Sequence, residues 1–244
     1  MVTPRLFVGA GESGPAPGGD YALPAAAARH VAQALRMRAG DPVALFTGDC
    51  GEDAATIARI ERRGVVVQVR HHEAIERESP WAVTLVQAII AADMMDLVVR
   101  KAVELGVAAI QPVQAVRSQR LPPERAARRS AHWRQIAASA CEQCGRNRVP
   151  DVKPVTSLSE WLDTFDVADG PLAILDAGAA RSLAAAASPH VVVAGPEGGF
   201  AADELHRAGE RGAVRVHLGG RVLRAETAAI VALATLNALA GDAK

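Results

Sequence analysis

Residues 191–200, Val-Val-Val-Ala-Gly-Pro-Glu-Gly-Gly-Phe, are the most informative stretch of the chain. Four apolar residues in a row are typical of a strand that is buried on both faces. The glycine-rich segment that follows lets the backbone turn sharply and approach a ligand closely. Residues 201–211 then predict a helix. A strand, a turn and a helix in this order indicate an α/β fold.

A second segment repeats this organisation. Residues 214–218 predict a strand, residues 218–221 (Leu-Gly-Gly-Arg) a turn, and residues 225–240 a helix. Ligands of open α/β sheets bind beyond the carboxyl ends of the strands. Two glycine-rich turns at successive strand ends are therefore either plain connections between strand and helix or a site in which backbone groups hold a polar, adenine-bearing ligand, and a pair of them favours the site.

The rest of the chain divides into two regions. The larger predicted domain, 73–244, alternates strands with helices and so indicates a parallel sheet. Its further predicted elements are strands at 81–90, 107–113 and 172–175, and helices at 94–105 and 129–144. The smaller predicted domain, 1–72, has short strands at 43–46, 55–60 and 64–69 and a helix at 25–37, which suggests a small barrel. A polar stretch, 71–80, is interpreted as the linker.

The composition excludes some classes of protein and leaves others open. The 27 basic and 27 acidic residues cancel, so net charge gives no support for nucleic-acid binding, although a local patch can remain. No apolar run is long enough to predict a membrane span. Three cysteines do not form a disulfide framework, and we expect a reducing cytoplasm.

A pair of cysteines, Cys141 and Cys144, has the spacing of a redox or zinc motif. It lies within a predicted helix and has no second ligand pair at zinc spacing. We therefore interpret both cysteines as structural or incidental and expect no metal.

Arginines are concentrated between residues 117 and 148. Eight of them face only two acidic residues, Glu124 and Glu142, in this interval. The arginines are Arg117, Arg120, Arg125, Arg128, Arg129, Arg134, Arg146 and Arg148. Such a cluster is either a solvated helix face or a surface that contacts phosphates.

The two glycine-rich segments, GPEGGF at 195–200 and LGGRVLRAETA at 218–228, resemble the signature of the SPOUT RNA methyltransferases. More narrowly, they resemble the enzymes that make N3-methyluridine in 16S rRNA. Residues 4–7, 95–107 and 142–150 also match that pattern, so the resemblance covers almost the whole chain. Ala91 and Ala92 depart from it, because they replace a Lys-Gly pair that many members carry.

The resemblance implies a fold, a cofactor and partners. We expect a trefoil-knotted α/β methyltransferase domain with a parallel sheet, a PUA-like N-terminal β-barrel and a homodimer with the apolar last helix, 228–240, in its interface. The implied cofactor is S-adenosylmethionine, and the implied partner is 16S rRNA of the small ribosomal subunit.

The resemblance also implies site residues. The expected cofactor contacts are Leu175, Gly195, Pro196, Glu197, Gly198, Gly199, Leu218, Gly219, Arg221, Val222, Leu223 and Thr227. The arginine cluster and the N-terminal region together supply the expected RNA contacts, which are Arg5, Arg36, Arg117, Arg120, Arg146 and Arg148.

Methylation at N3 of uridine requires loss of a proton or stabilisation of the charge that its loss creates. A carboxylate performs the first task and a guanidinium the second. The candidate catalytic residues are Arg224, Glu142 and Glu226. Two alternatives stay open: a methyltransferase that acts at another rRNA or tRNA site, and a catalytically silent RNA-binding assembly factor.

Overall fold

The structure is a computed structural model that describes residues 3–9, 14–62, 64–186 and 188–242. The chain forms two compact units. The first contains the described residues up to Glu78 together with residues 138–149. The second contains residues 79–137 and the described residues from Pro150 onwards. The assignment of 1–72 and 73–244 as functional domains stays a prediction.

The first unit is built on a five-stranded sheet with the order β1-β3-β4-β5-β2. Its elements are β1 (Arg5–Phe7), β2 (Asp20–Ala22), α1 (Ala25–Arg29), a π-helical turn (His30–Ala34), β3 (Pro42–Phe46), β4 (Glu52–Glu61) and β5 (Gly64–Glu73). The pair β1–β3 is parallel, and the other pairs are antiparallel. Alternate residues of β4 and β5, such as Ile57 and Val67, face a core that also contains Leu6, Val31 and Leu45.

Two predictions for this unit need correction. The predicted helix at 25–37 ends earlier, because its hydrogen bonding changes to a π-helical turn that finishes at Ala34. The predicted linker begins too early, because β5 continues through Glu73 and pairs there with Glu52 of β4. The polar residues 71–73 belong to an exposed strand end, which has the composition of a linker.

The second unit contains an eight-stranded sheet in which every pair is parallel. Its strands are β6 (Thr84–Ala88), β7 (Ala109–Gln114), β8 (Asp151–Val152), β9 (Thr156–Ser157), β10 (Leu172–Leu175), β11 (Arg181–Ser182), β12 (Val191–Ala194) and β13 (Val214–His217). The order is β11-β13-β10-β12-β6-β7-β8, and β9 also pairs with β7. The predicted parallel α/β architecture is confirmed.

Helices cover this sheet. They are α2 (Ala92–Glu104), α3 (Pro123–Cys144), α4 (Leu158–Thr164), α5 (Ala202–Glu210) and α6 (Ala225–Ala240), with 3₁₀ turns at Val167–Asp169 and Leu183–Ala185. Helix α6 packs against α2, and the Asn237 amide donates to the Leu105 carbonyl at the end of α2 (2.7 Å). In α3, His132 and Trp133 both contact the Asp96 carboxylate of α2. These contacts leave the opposite face of α3 exposed.

Local sequence signals explain two elements that hydrophobic spacing alone does not predict. Helix α3 begins at Pro123, six residues before the predicted start, because proline is favoured in the first helical turn. Helix α4 begins with a capping box in which Ser157 and Glu160 satisfy each other's backbone N–H groups. No helix in the described part of the chain is long and apolar enough to cross a membrane.

Candidate functional site

A cavity of ≈ 820 Å³ lies at one edge of the parallel sheet in the second unit. Residues that follow β13, β10, β12 and β6 line it, and these four strands are neighbours in that order. Its walls come from four segments: Ala91, Asp93 and Met94; Leu175, Asp176 and Ala177; residues 195–199; and Val216 to Gly219 with Arg221 to Glu226 and Ala228. The carboxyl ends of adjacent parallel strands therefore form the cavity, as ligand sites of open α/β sheets do.

The structure brings the predicted cofactor residues together. All of them except Thr227 line the cavity, and so do the catalytic candidates Arg224 and Glu226. Among the lining residues that were missed are Asp93, Met94, Asp176 and Ala177. Their positions directly after β10 and in the first turn of α2 could have identified them, because a ligand binds beyond the carboxyl end of every strand that borders its site.

The first glycine-rich loop, residues 195–199, is tightly packed on its outer side. The Gly199 N–H donates to the Pro196 carbonyl (2.9 Å), and Gly199 has a φ of 66°, a left-handed conformation that favours glycine. A Cβ atom on Gly195 would lie 3.0 Å from the Phe200 ring. The loop therefore presents backbone groups to the cavity and has little room for side chains behind them.

Glu197 connects this loop to α2. Its carboxylate accepts a hydrogen bond from the Ala91 N–H at 3.0 Å, and Ala91 is the N-cap residue of α2. Glu197 thus takes the part that an N3 glutamate plays in a capping box, because it accepts from the N–H of the N-cap residue, but it comes from another part of the chain. A negative charge at this position also complements the helix dipole.

We predict that Glu197→Ala lowers the free energy of unfolding by about 1 kcal/mol, because α2 loses its capping acceptor. The expected decrease in Tm is about 2–4 °C for a chain of this size, measured by thermal unfolding. Glu197→Gln is the matched control, since its amide oxygen can still accept from Ala91. Equal Tm values for the two variants would contradict this role.

The second glycine-rich loop follows β13. Gly219 has a φ of 117°, and its N–H donates to Nδ1 of His217 (3.0 Å). Val222 is 86% exposed in the same loop. An apolar side chain this exposed beside a cavity is available for contact with a ligand.

Asp176 places an ionised carboxylate on the wall between the two loops. Burial alone would raise the pKa of Asp176, but hydrogen bonds from the Arg215 guanidinium (Nε, 2.8 Å) and the Gly178 N–H (3.1 Å) outweigh it. The pKa of Asp176 therefore lies below its ordinary value, and the group is negatively charged at neutral pH.

A lowered pKa in the folded state makes stability depend on pH. The stabilisation from Asp176 is fully present above its unfolded pKa of about 4 and is lost as the pH falls through the lower folded value. We expect Asp176→Asn to be less stable than the unmodified chain at pH 7, with a smaller difference at pH 3, in urea unfolding. Arg215→Gln should behave similarly. A difference that does not change with pH would contradict this coupling.

Glu142 is not at the cavity. It lies in the first unit, where its carboxylate accepts a hydrogen bond from the Phe7 N–H at 3.0 Å. The sequence candidate therefore needs correction: this carboxylate holds β1 and does not line the site. Arg224 and Glu226, at the start of α6, remain the catalytic candidates.

The predicted RNA-binding arginines have different environments. Arg5 pairs with Glu52, and Arg146 pairs with Glu78, so both guanidinium groups are engaged inside the first unit and are buried. These two are poor candidates for phosphate contacts. Arg36 and Arg148 are exposed in the first unit, and Arg148 lies 3.4 Å from Glu76. Arg117 and Arg120 are exposed in the second unit.

Cys141, the buried member of the cysteine pair, is not suited to thiol chemistry. Burial raises the pKa of the Cys141 thiol to about 12, so the reactive thiolate is scarce at neutral pH. Among residues 3–9, 14–62, 64–186 and 188–242, no group of three His, Cys, Asp or Glu side chains could hold a metal ion.

Comparison with known proteins assigns the chain to a family. A sequence model described as RNA methyltransferase domain matches residues 77–237. Ribosomal RNA small subunit methyltransferase E of Mycobacterium bovis is 32% identical over 218 residues, which cover 86% of this chain and 83% of that protein. The chain belongs to the ribosomal RNA small subunit methyltransferase E family. The family's Bacillus subtilis member is 29% identical over 219 residues, or 85% of this chain and 86% of that protein.

The fold of this methyltransferase agrees with that of a solved family member. Ribosomal RNA small subunit methyltransferase E from Neisseria gonorrhoeae, bound to S-adenosyl methionine, has a TM-score of 0.89 and 36% identity. The comparison covers 98% of each chain. The family that the two glycine-rich segments resemble is thus confirmed as the family of this chain.

Proposed function

We propose that this chain uses S-adenosylmethionine to methylate N3 of one uridine in 16S rRNA of the small ribosomal subunit. The observation that carries the proposal is the cavity formed by residues 195–199, 216–219 and 221–226, because the two segments with the family's sequence signature meet there. The name of the Neisseria gonorrhoeae relative supports the cofactor and the rRNA substrate.

The cavity has suitable properties for this cofactor. Its volume lies within the roughly 300–1,000 Å³ range of small-molecule sites. Leu175, Leu218 and Leu223 offer apolar surface for an adenine ring, and glycine-rich backbone offers hydrogen-bonding groups. The carboxylates of Asp93 and Asp176 are also on the wall, where they complement a ligand that carries ammonium and sulfonium charges.

The protein's contribution to methyl transfer is mainly one of position. When bound, S-adenosylmethionine supplies a methyl group that its sulfonium has already activated. The two glycine loops and Leu175 hold the cofactor from three adjacent strand ends, which are rigid supports. Alignment of the nucleophile with the methyl group then lowers the barrier without a covalent enzyme intermediate.

Arg224 and Glu226 have complementary tasks in this proposal. The Glu226 carboxylate accepts the N3 proton of uridine, and the Arg224 guanidinium stabilises the negative charge that develops on O2 and O4. Both residues line the same cavity at the start of α6. Glu226 is thus the proposed general base, and Arg224 is the proposed electrostatic catalyst.

An exposed basic surface in the second unit is the proposed RNA contact. It consists of Arg120, Arg125 and Arg128, at and before the first turns of α3, and all three are exposed. Phosphate contacts supply much of the affinity for nucleic acid and make it dependent on salt. Arg36 and Arg148, exposed in the first unit, are further proposed contacts.

The proposal includes the architecture that the family resemblance implies. We infer a trefoil knot in the α/β unit, a PUA-like first unit and a homodimer that uses α6. Partial exposure of the α6 face supports the last point, since Leu239 is 53% exposed.

Mass mapping of rRNA tests the proposal directly. In cells that lack this protein, we expect 16S rRNA to lose one methyl group on a single uridine, and the purified protein should restore it with S-adenosylmethionine. Loss of a methyl group from tRNA alone would show a different substrate. An unchanged RNA, together with no cofactor binding in calorimetry, would favour the silent assembly factor.

A further inference from the structure

Arg117 contacts the first cofactor loop. Its Nη1 donates to the carbonyl of Gly198 at 3.1 Å and to the carbonyl of Phe200 at 3.3 Å. These two carbonyls flank the end of the loop at residues 195–199, which lines the cavity. One guanidinium therefore holds both sides of the turn that carries Gly199.

The aliphatic part of Arg117 also lies against the loop. A Cβ atom on Gly198 would be 3.2 Å from Cβ of Arg117 and 3.5 Å from its Cδ. A side chain at residue 198 would thus push against the arginine stem. Close approach of Arg117 gives a physical reason for glycine at this position, in addition to the cavity on the other side.

A second tether joins the same two segments. One oxygen of the Glu204 carboxylate accepts from the Val116 N–H (2.8 Å), and the other accepts from the Ala201 N–H (2.8 Å). The turn that presents Arg117 is itself closed by Ala115 and Ser118, whose backbone and side-chain groups bond each other at 3.1 Å. Arg117 is therefore presented from a well-ordered turn directly after β7.

We propose that Arg117 is a positioning residue that holds the cofactor loop in its binding conformation, and that the RNA surface begins at Arg120. This inference rests on the proposed function of the cavity as the S-adenosylmethionine site. Arg117 and Arg120 carry the same charge and lie close together in the sequence, but they have different roles in this proposal. Both are exposed, but the loop carbonyls accept from Arg117, whereas no contact of this kind links Arg120 to the loop within the described residues.

The test compares Arg117→Ala with Arg120→Ala, which remove the same charge three residues apart. We measure the Kd for S-adenosylmethionine by calorimetry, the Kd for 16S rRNA at several salt concentrations, and the KM of each in the methylation assay. For Arg117→Ala we expect about tenfold weaker cofactor binding and a raised KM for the cofactor, because two charge-assisted hydrogen bonds are lost. The KM for RNA should change little.

For Arg120→Ala the pattern should be reversed. We expect unchanged cofactor binding, weaker RNA binding and a salt dependence reduced by about one phosphate contact. Arg117→Lys keeps the charge, but its ammonium lies one atom nearer the backbone than the Nη1 that donates to both loop carbonyls. The loop role predicts that it resembles Arg117→Ala, whereas a role in RNA attraction alone predicts wild-type behaviour. Arg117→Lys also provides the test if the alanine variant does not fold.

The outcomes are distinguishable from failure of the proposed function. If the unmodified chain does not bind S-adenosylmethionine, the proposed function fails. If the unmodified chain binds it and both Arg117 variants bind it equally well, the positioning role of Arg117 is wrong. A loss of RNA affinity in Arg117→Ala equal to that in Arg120→Ala, with no change for the cofactor, would also overturn it.

Discussion

Gly219→Val is expected to weaken binding of S-adenosylmethionine by about 100-fold or more. Residue 219 has a φ of 117°, which a β-branched residue adopts only with strain of about 1–3 kcal/mol. The new side chain would also occupy the cavity that Gly219 lines. Each 1.4 kcal/mol corresponds to about a tenfold change in affinity, so strain and steric exclusion together reach this magnitude. Calorimetric titration with the cofactor measures the effect.

The neighbouring glycine provides a matched control. A Cβ atom on Gly220 would meet no atom within 4 Å, and Gly220 neither has a positive φ nor lines the cavity. Gly220→Val should therefore bind the cofactor with nearly normal affinity. If the two variants lost affinity equally, general damage to the loop would explain the result, and the assignment of Gly219 to the cofactor site would be wrong.

Glu226→Gln is expected to lower kcat by about 100-fold or more while cofactor affinity changes little. Removal of a general base typically costs a factor of about 10²–10⁴. The amide is nearly the same size as the carboxylate, so the start of α6 should keep its structure. Activity of the variant should rise steeply with pH, because uridine at N3 increasingly loses its proton to the solvent. Single-turnover methylation across a range of pH values measures both effects.

Glu142→Gln is the control for this experiment. The structure places that carboxylate on the Phe7 N–H, and an amide oxygen can accept the same bond. We expect normal kcat and a normal pH profile. If Glu142→Gln lost activity and Glu226→Gln retained it, the assignment of the base would be reversed.

The sequence predicts the second unit well because its strands are continuous apolar runs. Strand β12 at Val191–Ala194 is buried throughout, and β6 is buried at four of its five residues. Such strands interrupted by glycine turns and helices allow few architectures other than a parallel sheet. The two glycine turns then identify the expected ligand edge, which is why most of the residues predicted to contact the cofactor line one cavity.

Some predicted site residues lie in unexpected environments, and the common physical origin is contact between residues far apart in sequence. Glu142 and Glu226 are both carboxylates beside family motifs, and only the tertiary structure separates the one on β1 from the one at the cavity. Arg5 and Arg146 look like surface cations until their partners, Glu52 and Glu78, are known. Charge counts along a chain cannot show which charges are already neutralised.

The position of β10 in the sheet has a consequence for synthesis of the chain. Both of its neighbours, β12 and β13, lie later in the sequence. When Leu172–Leu175 first leaves the ribosome, neither edge of this apolar strand can be paired with its final partners. Unpaired strand edges are sites of aggregation, so the nascent chain stays vulnerable until residue 217 has been made. The second glycine loop directly follows β13. The last partner of β10 is therefore synthesised only shortly before the residues that complete the ligand cavity.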